Sequence, residues 1–238
     1  SSSDHYKIKL SPLPYIFFDA AGTLFHLTES VGTGYSRIAA DYGFQLEPSA
    51  TDSAFRTAFA AVDQPSYVNG PDEEADRLWW RKFVAQVFSE TGGDPDRPEF
   101  SDCFDALFSY YGKAEAWQLF PESTAAIHHL QSKGFEIGVL SNFDRRLRDI
   151  LKALDVRDAF CHVIISSEVG AAKPDPKVFH TAAERVGRAP GDCILIGDDP
   201  LRDHQGGLAA GFQAVHLVDR PSTDLKTIAN TLISAHSS

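Results

Sequence analysis

The sequence predicts an α/β fold, a doubly wound parallel sheet with an inserted α-helical segment. Three observations predict it: short apolar runs alternate with helical periods, polar residues follow the runs, and the alternation breaks once after the first run. Apolar residues make up 43% and charged residues 23% of the 238 residues, as in folded globular proteins. A chain of this length can bury a substantial core.

Five continuous apolar runs predict strands that are buried on both faces of a parallel sheet. The runs are Tyr15–Phe18, Phe135–Leu140, Cys161–Ile165, Cys193–Ile196 and Ala214–Val218. The stretches between and after them predict helices at 122–133, 144–154, 175–187, 201–210 and 222–235. This alternation with short connections is typical of a doubly wound sheet.

Residues 28–115 interrupt the alternation and read as helices throughout, for example at 49–62 and 72–91. Within the second helix an apolar stripe predicts a buried face, and it consists of Leu78, Trp79, Phe83 and Val87. The segment has a net charge of −9, against −2 for the rest of the chain. We therefore predict a core domain of residues 1–27 and 116–238 and a helical cap domain of residues 28–115.

Composition excludes several classes of protein. The net charge of −11 argues against binding to nucleic acid or to an anionic membrane surface. No apolar run reaches 18 residues, and the first residues show no signal-peptide pattern. The three cysteines are widely spaced and predict buried, reduced thiols and a cytoplasmic location. The oligomeric state is not predicted by any pattern.

Polar residues follow four of the predicted strands, at the carboxyl edge where open parallel sheets bind ligands. Asp19 follows the first strand, and Ser141 and Asn142 follow the second. Lys173 follows the third strand in a loop that opens a helix. An acidic set, Asp198, Asp199 and Asp203, follows the fourth.

This combination of groups has a chemical logic. Carboxylates that converge on one point repel each other, so a hard divalent cation is expected, and oxygen ligands favour Mg²⁺. With Mg²⁺ and Lys173 neutralising a phosphoryl group, a free carboxylate can attack phosphorus and form an aspartyl-phosphate. Ser141 and the backbone N–H groups of Ala20 and Ala21 can donate hydrogen bonds to phosphoryl oxygens.

The motifs resemble those of the haloacid dehalogenase-like (HAD) hydrolase superfamily over nearly the whole chain. The four matching motifs are Asp19-Ala20-Ala21-Gly22-Thr23-Leu24, Ser141-Asn142, Lys173-Pro174, and Gly197-Asp198-Asp199 with Asp203. The helical insertion resembles the C1 cap of subfamily I. Five further segments resemble the rhythmically-expressed-protein-2-like branch: Val31-Gly32 with Tyr35, Trp79-Trp80, Trp117 with Pro121, Ser141-Asn142-Phe143-Asp144, and Lys173-Pro174-Asp175.

The resemblance implies a role for each matching residue and a small phosphorylated substrate. Asp19 would be the nucleophile and an Mg²⁺ ligand, and the Ala21 carbonyl and Asp198 would be further ligands. Asp203 would support the metal site, and Asp199 would bind the metal or support a ligand. Ser141 and Lys173 would bind the phosphoryl group, and Asn142 would orient the loop or bind phosphate through its backbone.

One residue departs from the phosphatases of the superfamily, which carry a second Asp two residues after the nucleophile. Ala21 stands at that position and has no proton to give to a leaving group. Loss of a general acid typically costs about 10²–10⁴ in rate. The sequence therefore predicts a weak phosphatase, a preference for good leaving groups, or different chemistry, with His26 as a candidate substitute donor.

Three alternatives follow from the same departure. Haloacid dehalogenases also lack the second Asp, but they need no metal, whereas three acids stand here in the fourth motif. Phosphonate hydrolases with Ala at this position need a Schiff-base lysine in the cap, and only Lys82 and Lys113 lie between residues 28 and 115. The third alternative is a phosphate- or partner-binding protein with little turnover.

Overall fold

The protein is described here from a computed structural model that covers residues 12–237. Residues 1–11 and residue 238 lie outside the described residues, so the N-terminal part of the predicted core domain and the predicted lack of a signal peptide are not addressed by it.

Five parallel strands form the central sheet, and two short antiparallel strands form a second one. In chain order the strands are β1 (Tyr15–Phe18), β2 (Phe25–Leu27), β3 (Trp117–Leu119), β4 (Ile137–Ser141), β5 (His162–Ile165), β6 (Cys193–Gly197) and β7 (Ala214–Leu217). The central sheet has the order β5-β4-β1-β6-β7. The chain thus winds outwards from β1 in both directions, which confirms the predicted doubly wound fold.

Helices cover both faces of this sheet and fill the insertion. In chain order the α-helices are α1 (Val31–Ala40), α2 (Pro48–Ala61), α3 (Glu73–Glu90), α4 (Phe100–Tyr110), α5 (Ser123–Ser132), α6 (Arg146–Ala153), α7 (Ser166–Val169), α8 (Pro176–Arg185), α9 (Gly206–Ala209) and α10 (Leu225–His236). Short 3-10 turns span Ala114–Ala116, Arg157–Ala159 and Pro190–Asp192, and a π-helical stretch spans Pro200–Gln205.

The apolar runs form strands because both of their faces are buried. Ile16 and Phe18 pack into one apolar cluster, and Tyr15 and Phe17 pack into the other, on the opposite face of the sheet. Successive side chains of a strand point to opposite faces, so a strand between two layers of helices must be apolar at every position.

The inserted helices α1–α4 have an apolar core of their own, which includes Tyr35, Phe83 and Val87. The stripe that predicted the buried face of α3 is only partly correct. Leu78 is 50% exposed, and Trp79 is half-buried. The reason is that α3 buries a face centred on Phe83 and Val87, against which Trp79 packs at the edge. At about 100° per residue, Leu78 lies on the opposite side of the helix from Val87.

Both crossings between the sheet domain and the insertion pass through the small β2–β3 sheet, in which Phe25 pairs with Leu119 and Leu27 with Trp117. The sequence did not predict these strands. Each is three residues long, which is too short for a period of two to be recognised.

All three cysteines are free, and Cys103 and Cys193 are buried as predicted. Cys161 is exposed, contrary to the prediction, because it precedes the edge strand β5 rather than lying within it. Within residues 12–237, no helix is both long and apolar enough to cross a bilayer.

Candidate functional site

The loop after β1 presents Asp19 at the carboxyl edge of the sheet. The Asp19 N–H donates to the Ile196 carbonyl at 2.8 Å, so the loop continues the pairing of β1 with β6. A tight turn follows, in which the Ala20 carbonyl accepts from the Leu24 N–H at 2.8 Å. Gly22 has a φ of +86°, and a Cβ atom there would overlap the Asp198 carboxylate. Glycine is therefore required at this position for both its backbone conformation and its small size.

Lys173 lies at the centre of the site and is only 2% exposed. Its ammonium group donates to Asp19 Oδ1 at 3.0 Å, to Asp203 Oδ1 at 2.6 Å and to the Leu140 carbonyl at 3.1 Å. Burial alone would lower the pKa of Lys173, but the neighbouring carboxylates outweigh burial and raise that pKa above its ordinary value. Lys173 is therefore a permanent cation that joins the first and fourth motifs.

Asp203 holds the fourth motif in place. Its Oδ2 accepts from the backbone N–H groups of Asp198 and Asp199, each at 3.1 Å. Gly197 is packed so closely that a Cβ atom on it would overlap the Asp203 carboxylate. Since Asp203 Oδ1 binds Lys173, this side chain fixes the loop after β6 relative to the loop that carries Lys173.

Asp19, Asp198 and Asp203 each offer a carboxylate oxygen, and these oxygens lie within 4.8 Å of one another. Asp198 opens to solvent in the cleft but has protein on most sides. Burial and the adjacent Asp19 carboxyl raise the pKa of Asp198 to about 8. A carboxyl group that resists ionising beside another carboxyl group is the expected signature of a site that takes up positive charge.

These residues fit the predicted Mg²⁺. The donor set consists of three converging carboxylate oxygens, which this hard cation prefers, and one lysine is the cation that the described residues place among them. Asp19, Asp198 and the predicted Ala21 carbonyl are the groups that would hold the ion.

Asp199 was also predicted as a metal ligand, but the structure gives it another position. Its Oδ1 accepts from the N–H groups of Leu201 and Arg202 at 2.9 and 2.8 Å, and so caps the helical stretch that follows. Its carboxylate lies outside the cluster of converging oxygens. In this structure Asp199 is therefore a helix cap beside the acidic cluster, which is closer to the predicted role of supporting a ligand than to that of binding the metal.

The second motif approaches the site from β4. Ser141 is the last residue of that strand, is buried and lines the cleft. The Asn142 side chain instead binds the backbone of Lys173: its Oδ1 accepts from the Lys173 N–H at 2.7 Å, and its Nδ2 donates to the Lys173 carbonyl at 2.9 Å. Asn142 thus orients the loop of the third motif, which is one of the two roles predicted for it.

The four motifs form the floor of a cleft of about 170 Å³, and the insertion supplies its other walls. From the insertion the cleft is lined by Phe59, Gln64, Pro65, Asp76, Trp79 and Trp80. Sequence reasoning did not select most of these residues. A signal was present, since Asp76, Trp79 and Trp80 recur three and four residues apart and so share one face of α3.

Asp76 is an unusual member of this wall because it is an acid that is only 4% exposed. Burial raises the pKa of Asp76 to about 7, and the nearby Asp144 and Glu73 add to the rise, whereas its hydrogen bond from the Tyr67 hydroxyl and the charge of Arg146 oppose it. The Tyr67 hydroxyl also faces Ser166 Oγ of the sheet domain, at 3.5 Å. Asp76 therefore belongs to a polar contact between the insertion and the sheet domain.

His26, the candidate substitute for the missing acid, does not line this cleft. It lies on β2, its ring packs on Phe120, and its Nδ1 bonds to the Leu27 carbonyl at 2.8 Å. Lys82 and Lys113 are exposed and line neither the cleft nor the cavity beside it, so the described residues provide no Schiff-base lysine in the insertion.

Comparison with known proteins identifies the family. Residues 14–211 match the family described as haloacid dehalogenase-like hydrolase. The chain belongs to the haloacid dehalogenase-like hydrolases. This HAD chain is 32% identical over 199 residues to the haloacid dehalogenase-like hydrolase domain-containing protein 3 of Mus musculus, covering 83% of this chain and 78% of that protein.

Two further similarities agree with this assignment. The HAD chain is 27% identical over 215 residues to the rhythmically expressed gene 2 protein of Drosophila melanogaster, covering 86% of this chain and 83% of that protein. It also resembles the crystal structure of a HAD phosphatase from Thermococcus onnurineus, with a TM-score of 0.64 and 21% identity, covering 92% and 98% of the two chains. The resemblance recognised from the motifs is confirmed.

Proposed function

We propose that this HAD hydrolase is a phosphatase, which hydrolyses a small phosphorylated compound in an Mg²⁺-dependent reaction through an aspartyl-phosphate at Asp19. The observation that carries the proposal is the convergence of the Asp19, Asp198 and Asp203 oxygens within 4.8 Å beside the buried Lys173 ammonium group. Phosphoryl transfer depends mainly on positioning and on charge neutralisation, and this arrangement supports both.

The chemistry of the bound metal would complement that of Lys173. Asp19, Asp198 and the Ala21 carbonyl would hold Mg²⁺, with Asp203 in support. When bound, the ion supplies positive charge for the negative charge that develops on the phosphoryl oxygens. Lys173 and Ser141, both at the cleft floor, would bind the remaining phosphoryl oxygens.

The reaction would have two steps. In the first, an Asp19 oxygen forms a bond to phosphorus, while the bond from phosphorus to the leaving-group oxygen breaks and its electron pair departs with that oxygen. In the second, water attacks phosphorus, the bond to Asp19 breaks and returns its electron pair to the carboxylate, and the proton of the water passes to solvent. The products are inorganic phosphate and the free enzyme.

Ala21 determines which leaving groups are favoured. It lines the cleft and provides no proton for a departing alkoxide. We therefore expect the enzyme to act on esters or anhydrides whose leaving oxygen is stable as an anion, and to be slow with alkyl esters.

The test is phosphate release from para-nitrophenyl phosphate with and without Mg²⁺. Asp19→Asn is expected to abolish release, and removal of Mg²⁺ by a chelator is expected to do the same. Asp199→Asn is the matched control, because an asparagine still caps a helix and Asp199 lies outside the acidic cluster. Metal-dependent release that survives in Asp19→Asn would contradict the proposal.

Two other outcomes would favour other functions. Chloride release from chloropropionate in the absence of metal would favour a dehalogenase. Binding of Mg²⁺ without turnover on any member of a phosphate-ester panel would favour a phosphate- or partner-binding protein. The three free thiols also lead us to propose a cytoplasmic location, which fractionation of cells that produce the protein would test.

A further inference from the structure

A second cavity, of about 420 Å³, lies between the inserted helices and the sheet domain. It adjoins the cleft over the nucleophile, since the two share six lining residues: Ala21, Phe59, Trp80, Asn142, Phe143 and Arg146. Ala21 lies on the boundary of both, two residues from Asp19. A group that leaves phosphorus on this side of the cleft would enter the second cavity.

The lining of this cavity is apolar and mainly aromatic. Tyr35, Phe55, Val84 and Leu107 from the insertion face it, and Trp117 and Phe143 complete it from the other side. Among the described residues, no lysine, aspartate or glutamate lines it. Apolar cavities of this kind favour uncharged ligands, because a charged group would lose its hydration without gaining a partner.

The two basic side chains at the cavity are already engaged. Arg146 makes a bidentate ion pair with Asp144 at 2.8 and 2.9 Å, and it donates to the Phe108 carbonyl at 2.6 Å. Its guanidinium also stacks on the Phe108 ring, 3.5 Å from the centroid. The Nδ1 atom of His26 forms a hydrogen bond with the Leu27 carbonyl. A further charged group on the ring, such as a second carboxylate or phosphate, would therefore find no unengaged lysine or arginine among the cavity residues that the structure describes.

The missing acid and the apolar cavity restrict the leaving group independently. Because Ala21 donates no proton, the oxygen that leaves phosphorus must be stable as an anion. The adjoining cavity requires that the rest of the leaving group be apolar and uncharged. We infer that the natural leaving group carries an uncharged aromatic ring system next to its leaving oxygen, as in an aryl phosphate or an aroyl phosphate. An apolar cavity of about 150 Å³ admits benzene, so the observed volume has room for two fused rings.

This inference rests on the proposed phosphatase function, and a matched pair of substrates separates the two. Benzoyl phosphate and acetyl phosphate have leaving groups of similar acidity and differ mainly by the ring. We expect kcat/KM with Mg²⁺ to be about 30-fold higher for benzoyl phosphate, the factor that burial of a phenyl ring provides. Equal values for the pair would overturn the inference and leave the phosphatase proposal standing.

Val84→Phe tests whether the ring occupies this cavity. Val84 lines it from α3, does not line the cleft over Asp19, and is buried. The larger side chain is expected to abolish the preference for benzoyl phosphate while hydrolysis of acetyl phosphate stays unchanged. Val84→Ala, the matched control, keeps the cavity open and is expected to keep the preference. Leu107→Trp offers the same test from α4 if Val84→Phe fails to fold.

Binding of naphthol gives a readout that needs no turnover. Trp80 and Trp117 line the cavity, so naphthol is expected to change tryptophan fluorescence in the wild type and not in Val84→Phe. Naphthol binding without hydrolysis of any phosphate would support the ring site and contradict the phosphatase. Hydrolysis of both acyl phosphates at equal rates without naphthol binding would contradict the ring site alone.

Discussion

At the scale of single residues, the buried Lys173 is the group on which the site most depends. Its ammonium contacts the Asp19 and Asp203 carboxylates, and the Lys173 and Asp203 side chains are buried, whereas Asp19 opens slightly to the cleft. Removing one partner of a buried ion pair leaves the others uncompensated, which costs much more than the loss of an exposed pair.

Lys173→Met is therefore expected to lower the free energy of unfolding by about 3–5 kcal/mol in the absence of metal. Urea denaturation followed by circular dichroism measures this loss. Lys177→Met is the control, because Lys177 is exposed on α8 and its loss is expected to change stability by less than about 0.5 kcal/mol. Equal effects of the two substitutions would show that the buried cation is not needed to hold the carboxylates together.

In the proposed reaction, Ala21 determines how the rate depends on the leaving group. Ala21→Asp supplies an acid two residues after the nucleophile and is expected to raise kcat/KM for an alkyl phosphate by about 10²-fold. The value for para-nitrophenyl phosphate should change little, because that leaving group needs no proton. Ala21→Asn, which has the same size and no acidic proton, should leave both values low. A rise of equal size for both esters would contradict this account.

Sequence alone predicted these residues because parallel strands end at a common edge, so residues far apart in the chain meet there. It could not separate Asp198 from Asp199. Both residues directly follow the same predicted strand, so the sequence pattern does not distinguish them. Only the backbone turn directs one carboxylate to the acidic cluster and the other to a helix cap. For Asn142 the sequence likewise left two roles open, orienting the loop or binding phosphate through its backbone, because the direction of its side chain depends on the backbone turn.

At the scale of elements, α3 connects the insertion to the sheet domain through its first turn. Glu73 accepts from Ser167 Oγ at 2.5 Å and from the Arg145 N–H at 3.1 Å, and the Asp72 N–H donates to the Ser167 carbonyl at 3.0 Å. Asp76 lies one turn further along, buried at the same contact. The docking of α3 therefore places a buried acid beside the cleft.

Asp76 should make stability depend on pH. Its pKa is about 7 in the folded protein and near 3.8 when unfolded, so the folded state binds more protons between those values. The contribution of Asp76 to the free energy of unfolding is then highest below about pH 4 and falls as the pH rises to about 7. In Asp76→Asn this fall should be smaller by about 3–4 kcal/mol.

Urea denaturation of the wild type and Asp76→Asn between about pH 4 and pH 8 measures this contribution, because each pKa unit is worth about 1.4 kcal/mol. Asp102→Asn, on the exposed side of α4, is the control and should follow the wild-type profile. Parallel profiles for wild type and Asp76→Asn would mean that Asp76 is ionised in the folded protein across this range.

The elements of the sheet domain were largely predictable, and those at its junction with the insertion were not. A strand such as β1, buried on both faces, must be continuously apolar, and that constraint is visible in a single sequence. The β2–β3 pair consists of two three-residue strands, which are too short to leave a periodic pattern.

At the scale of the whole molecule, the strand order fixes where the site lies. The order reverses between β1 and β6, and this switch point is where doubly wound sheets bind ligands. Asp19 and Asp198 follow these two strands, so a shared metal would link the carboxyl ends of two adjacent strands. The insertion returns over the same point and forms the apolar cavity, whose volume depends on helix packing and cannot be derived from residue spacing.

A final prediction concerns the metal that the loops after β1 and β6 would share. A ligand that binds only the folded state stabilises it by RT ln(1 + [L]/Kd), or about 2.7 kcal/mol at a concentration 100-fold above Kd. For a chain of this length, Mg²⁺ should then raise Tm by about 5–10 °C. Calorimetry in chelator and in saturating Mg²⁺ measures the shift. Asp198→Asn replaces one converging carboxylate by a neutral amide and should lose most of the shift, whereas Asp199→Asn should retain it because Asp199 caps a helix. A shift of equal size in both variants would mean that Mg²⁺ binds elsewhere, and the loops after β1 and β6 would then have to be held together by Lys173 alone.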